Sequence, residues 1–393
     1  MLSGGGARGA YQVGVLKAIS ELYPKQASNP FSVISGTSAG ALNAVALASS
    51  ANNFRLGVKK VERIWSNLRV EDVVKSRHRD MAGNAFRFLI SLFNSGVGAD
   101  RPVSLLNNDP LAELLSRRIR FDNLQKRIDA GLLDAVAVTA TSYVTGNCVS
   151  FFQGKEDLTR WHRTKRIGIR DQLGVRHLMA SSAIPGVFPA VKIAKEYFGD
   201  GSMRQLAPLS TALRLGAERI VVIGVRGHNR EPVEPKRNHS PSVAQMLGHI
   251  FSSAFIDSLE SDLENLQRVN ELLGIAQNES PDALKDTAYK PVDVLVIRPS
   301  IDFDKIAREH LDDLPKGLRR GLAAIGATRG GGGNLASYLL FHAGYCKKLV
   351  QHGYTDAIEQ RETIEQFFMG TNEFTPSDGT EGGGILSRMR LRI

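Results

Sequence analysis

Apolar positions recur at helical spacing in the first stretch of the chain. Tyr11, Val15, Leu16, Ile19 and Leu22 fall close to a 3.6-residue period and predict a helix over 7–22. Phe31–Ser35 is short and strand-like, and a Gly-Thr-Ser-Ala-Gly turn leads from it into the alanine-rich stretch 41–51, which favours helix packed closely on a sheet. Ala135–Thr141 has the uninterrupted small and β-branched character of a strand covered on both faces. Gly146-Asn147 is turn chemistry before Cys148–Phe152, so the two segments predict a hairpin. A second hairpin is expected at 191–193 and 197–198, and central strands at 220–225 and 292–297. Residues 206–215 and 243–273 have helical patterns, 228–241 reads as a surface loop, and 303–369 looks helical.

Strands alternating with helices predict an α/β fold, a three-layer α/β/α sandwich with a mainly parallel central sheet and a C-terminal helical extension. The expected organisation is one α/β domain over 1–300, with 242–291 a helical excursion from it, a helical region over 301–370 and a loosely ordered tail over 371–393. Residues 76–108, with Arg77, Arg79 and Arg87 among Phe86, Phe88 and Phe93, read either as a cap over a cleft or as an ordinary surface helix.

Composition narrows the class. With 42% hydrophobic and 23% charged residues among 393, the chain reads as globular. Two cysteines exclude a disulfide scaffold, and nine histidines without HExxH or CxxC spacing give no zinc motif. No apolar run approaches a membrane span, and Met1–Gly6 lacks the features of a signal peptide, so a cytoplasmic location is expected. The net charge of +10 includes a cluster at Arg160, Arg163, Lys165, Arg166, Arg170 and Arg176 and a tail at Arg388, Arg390 and Arg392. Such clusters suit peripheral docking on an anionic inner-membrane face or a plainly solvated surface. Nucleic-acid binding lacks a supporting motif.

Two motifs carry chemistry. Gly4-Gly5-Gly6-Ala7-Arg8-Gly9 formally fits a dinucleotide fingerprint, but the second strand ends without the acidic residue that would hold a ribose. The same loop suits an oxyanion, because glycines ahead of a helix N-terminus expose backbone amides. Gly36-Thr37-Ser38-Ala39-Gly40 fits G-x-S-x-G between a strand and a helix, a bend that exposes the serine hydroxyl. As a capping residue, Ser38 would need no chemistry. No histidine stands out as a partner; His177 and His228 are the least poor candidates.

With Ala180–Pro189 ahead of Asp200-Gly201, these blocks follow in the order seen in patatin-like phospholipases, which the sequence resembles over about its first 210 residues. The resemblance implies Ser38 as nucleophile and Asp200 as its base, without histidine. It implies oxyanion amides from Gly5, Gly6, Ala7 and Arg8, with Gly4, Gly9, Gly36, Gly40 and Gly201 shaping the loops. It also implies hydrolysis of fatty-acyl esters of phospholipids or lysophospholipids with no metal or organic cofactor. A carboxylesterase or thioesterase acting on soluble esters, or a lipid-binding protein without catalysis, are the competing expectations. Two features depart from the family pattern. Ser202 follows Asp200-Gly201 where a small third residue is usual, and only three residues precede Gly4 where a longer first strand is usual. The sequence leaves headgroup, chain length and oligomeric state open.

Overall fold

The computed structural model describes residues 1–75, 102–227, 243–280, 289–324 and 333–369, with isolated positions at 83, 84, 87, 90, 284, 287, 326 and 327. Most of the expected cap-or-helix segment 76–108, up to residue 101, together with the expected loop 228–241 and the tail 371–393, therefore lies outside the described residues, and His228 with them.

A mixed sheet forms the centre. Strand β1 (Val33–Thr37) runs parallel to β2 (Ala135–Ser142), and β2 pairs antiparallel with β3 (Cys148–Gly154) through the expected hairpin. Beyond β3 come β5 (Arg166–Arg170), parallel to it, and the edge strand β4 (Trp161–Arg163). On its other side β2 also carries β7 (Glu196–Asp200), antiparallel and in hairpin with β6 (Val191–Ile193). The α/β class is as expected, but four of these ladders are antiparallel where a mainly parallel sheet was anticipated, three of them through hairpin connections. A tight two-strand turn can only reverse the chain.

The first residues stitch a second pair of strands onto this sheet. β8 (Arg219–Ile223) and β9 (Asp293–Ile297) are parallel neighbours. Leu2 lies between β1 and β8, bridging Gly36 on one side and Ile223 on the other. Leu2 N–H donates to Ser35 O at 2.9 Å and Leu2 O accepts from Thr37 N–H at 3.2 Å, while Ser3 N–H donates to Ile223 O at 3.3 Å. Three residues thus serve as the strand that joins the two sheets.

Alternation along β8 and β9 makes the third layer. Val221, Ile223, Leu295 and Ile297 enter the main core. Ile220, Val222, Val294 and Val296 face the opposite way and pack with Leu259 and Leu263 of the long helix Val243–Glu279. On the main-core side, helix α1 (Ala10–Glu21) lies against α2 (Ala39–Ala48), α3 (Phe54–Ser66) and the helix Ala343–Glu359. Backbones touch where α1 meets Ala343–Glu359. A Cβ on Gly14 would stand 1.9 Å from Val350 O, and one on Gly353 2.1 Å from Tyr11 O. Tyr11 Oη donates to Asp356 Oδ2 at 2.8 Å across the same contact.

Candidate active site

The sheet register explains how Ser38 and Asp200 meet across 162 positions of sequence. β1 and β7 lie end to end along one edge of β2 and point at each other. β1 finishes with Thr37 opposite Thr139, and β7 finishes with Asp200 opposite Ala140, the next residue of β2. The residue after Thr37 and the last residue of β7 are thereby brought to the same point.

Ser38 occupies a strained turn, with φ 53° and ψ −127°, at the N-cap of α2. A serine in the left-handed region is costly and persists only where surrounding contacts over-determine it. Here Ser38 N–H donates to Ser181 Oγ at 2.8 Å, and the Ser181 hydroxyl donates to Thr139 O at 2.6 Å. Ser181 therefore pins the bend to the central strand.

Asp200 is fully buried. Its Oδ1 accepts from Ser202 N–H at 2.9 Å, whereas Oδ2 has no hydrogen-bond partner among the described residues. Burial pushes its carboxyl up to about 6 against an ordinary 3.8, with the Ser38 hydroxyl and the Ser202 groups pulling the other way. A buried carboxylate of raised basicity with a free lone pair is poised to take a proton from a neighbouring hydroxyl. This contact comes from the backbone amide of residue 202, which a glycine or alanine there would supply as well.

The glycine loop comes to the same place. Gly6–Gly9 forms a single 3-10 turn leading into α1. Gly6 has φ +55°, and a Cβ there would lie 2.2 Å from Tyr338 O, so only glycine fits. Arg8 departs from the expected amide set, because its N–H donates to Gly5 O at 3.1 Å and closes the turn. Its side chain is 4% exposed and ion-paired to Asp304 at 2.8 Å. A polar ladder supports the loop from beneath. Asn43 Nδ2 donates to Gly9 O and Gln12 Oε1, both at 2.9 Å, Gln12 Nε2 donates to Ser3 O at 2.8 Å, and Trp65 Nε1 donates to Asn43 Oδ1 at 2.7 Å. These supporting residues carry no sequence motif; a buried Asn or Gln is recognisable only once its neighbours are known.

Ser38 and Gly6 stand at the head of an apolar cavity of roughly 690 Å³, counting its mouth. α2 and α3 supply Leu42, Ala46, Val61 and Trp65, the helix Asp109–Arg118 supplies Leu111, Leu114 and Leu115, and Ile184, Phe188 and Phe341 close it. Such a lining suits a hydrocarbon group better than a charged or sugar ligand.

His177 is held by Asp171, Nε2 to Oδ2 at 3.2 Å, and accepts from Gly174 N–H at 3.1 Å, and burial lowers its pKa. It sits a helical turn before Ser181, in the helix Val175–Ser181, and caps that helix. Among the described residues, ligand atoms of His310, Asp313 and His342 lie within 4.8 Å of one another; His310 Nδ1 and Asp313 Oδ2 are hydrogen-bonded at 2.7 Å, while His342 Nδ1 accepts from Gly344 N–H at 3.3 Å. No described helix is long and apolar enough to cross a membrane.

Fold and pocket together describe an α/β protein with a strained serine turn beside an apolar pocket. The family model for patatin-like phospholipases matches residues 1–213, more than half of the chain, and the chain belongs to this family of lipid acyl hydrolases. No curated protein sequence matches it. Among solved structures, VipD from Legionella pneumophila is similar at 12% identity with a TM-score of 0.35. That alignment covers 92% of this chain and 66% of the other, so the chain spans just under two thirds of that relative's length.

Proposed function

We propose that the protein cleaves fatty-acyl esters of phospholipids or lysophospholipids with Ser38 as nucleophile and Asp200 as base. The observation that carries this reading is the strained Ser38 turn at the head of the apolar slot, with a buried carboxylate one residue further along the same edge of β2. The acyl chain lies in the slot and its ester carbonyl faces Ser38. Ser38 Oγ attacks the carbonyl carbon as its proton passes to Asp200 Oδ2. The amides of Gly5, Gly6 and Ala7 hold the developing oxyanion; Arg8 N–H, already engaged, is left out of the set. The proton returns to the departing alcohol, and water deprotonated by Asp200 releases the fatty acid from the acyl-enzyme.

Docking on anionic lipid fits the same reading. Arg160, Arg163 and Lys165 are exposed around the β4–β5 edge, and Arg176 is exposed on the helix Val175–Ser181. Arg170 belongs to the fold, its guanidinium donating to the carbonyls of Gly154, Lys155 and Leu158.

A fluorophosphonate probe tests the chemistry, because only an activated serine reacts with it readily. Wild-type protein labels at Ser38, and Ser38→Ala neither labels nor hydrolyses, falling by about four or more orders of magnitude. A panel of phospholipids, lysophospholipids and short soluble esters places the substrate. Preference for short soluble esters would move the protein to the carboxylesterases, and hydrolysis by Ser38→Ala would refute the nucleophile.

A further inference from the structure

The glycine loop has an entropic weakness. Four of the six residues from Gly4 to Gly9 are glycine, and Arg8 carries its one long side chain. An oxyanion hole acts only if its amides are already aimed, so something must fix this turn.

Arg8 is the fixture, and its partners come from far along the chain. Arg8 Nη2 donates to Asp304 Oδ1 at 2.8 Å and to Ser337 Oγ at 2.6 Å, and Nε donates to Ser337 Oγ at 3.0 Å. The Ser337 hydroxyl donates in turn to Asp304 Oδ1 at 3.0 Å, closing a triangle in which it uses both its donor and its acceptor capacity. The guanidinium stacks 4.0 Å from the Tyr338 ring centre. The Tyr338 carbonyl is the group against which Gly6 is pressed. Consecutive residues at the end of the helix Gly333–Leu339 thus grip the loop at both Gly6 and Arg8, and Phe341, just beyond, walls the acyl slot.

We propose that Asp304 and Ser337 are positioning residues for the oxyanion loop, supplied by a part of the chain beyond the family-matched residues 1–213. This rests on the acyl-hydrolase reading above. A buried ion pair contributes little net stability over an apolar filling of the same space, whereas its fixed donor directions set a geometry. A misplacement of about 1 Å costs on the order of a hundredfold in rate.

The test uses full-length wild-type protein, Ser337→Ala and Asp304→Asn, each checked for folding by circular dichroism and melting temperature. Two readouts separate aim from architecture: kcat and KM on a p-nitrophenyl ester, and affinity for an alkyl trifluoromethyl ketone, whose hemiketal oxyanion needs the amides, beside affinity for the matching fatty acid. The folded variants are expected to lose at least tenfold in kcat and in ketone affinity, with KM and fatty-acid affinity within about twofold of wild type. Should Asp304→Asn not fold, Ser337→Ala decides, since it keeps the ion pair. Folded variants with wild-type kcat and ketone affinity, or an equal loss of ketone and fatty-acid affinity, overturn the proposal alone. Wild-type protein inert to ester and ketone overturns the hydrolase reading itself.

Discussion

As the proposed base, Asp200 places two opposed demands on one side chain. A base must be ionised, and burial favours its neutral form, with a carboxyl lifted to about 6. Activity should therefore rise through an acid limb near pH 6 and level off above it, measured as kcat/KM against pH on a neutral ester. Stability runs the other way. A folded-state value above the unfolded one contributes stability that is complete below about pH 4 and lost as pH climbs through 6, a difference of roughly 3 kcal/mol for a rise of this size. Asp200→Asn should abolish turnover yet melt higher than wild type at pH 8, with the advantage shrinking toward pH 4. A lower melting temperature at pH 8 would contradict the raised carboxyl. Ser38, Asp200 and the loop glycines were legible in the sequence because each sits in a short local pattern. Ser202 looked like a departure from the pattern, and its amide contact to Asp200 emerged only in three dimensions.

At the scale of elements, chemistry depends on two strand ends abutting on β2 and on the bend that leaves one of them. Ser181 fastens that bend. Ser181→Ala leaves Ser38 N–H and Thr139 O without their present partner, costing about 1–3 kcal/mol in urea unfolding and lowering kcat. An unchanged midpoint with unchanged kcat would show that the turn holds itself. The hairpins were readable from turn residues. The meeting of β1 and β7 was not, because pairing register is set by partners that no local pattern names. The slot was equally hidden, since its walls come from separate helices whose apolar residues read as ordinary core. Ala46 on α2 offers a handle on it. Ala46→Phe should shorten the accepted chain, each excluded methylene costing about 0.8 kcal/mol, roughly fourfold in kcat/KM, across esters of graded length.

For the molecule as a whole, the family-matched residues 1–213 do not contain all of their own supports. Leu2 finds one ladder partner at Ile223, Arg8 its acid at Asp304, and Gly14 its close neighbour at Val350. Residues 1–213 produced alone should give an aggregating or partly folded product by gel filtration and circular dichroism, while the full chain melts cooperatively. A monodisperse, active fragment would contradict this. Sequence patterns gave the later strands and helices but not their bearing on the loop, because a lone buried arginine does not announce which distant acid it meets.

The seam made by Leu2 also imposes an order of events. On the ribosome Leu2 can pair with β1 early, but its other edge stays open until Ile223 is translated, and the turn that follows it lacks its distant anchors until Asp304 and Ser337 are made. The proposed oxyanion turn therefore gains its last anchors late in synthesis, so a partly made chain lacks a preorganised site.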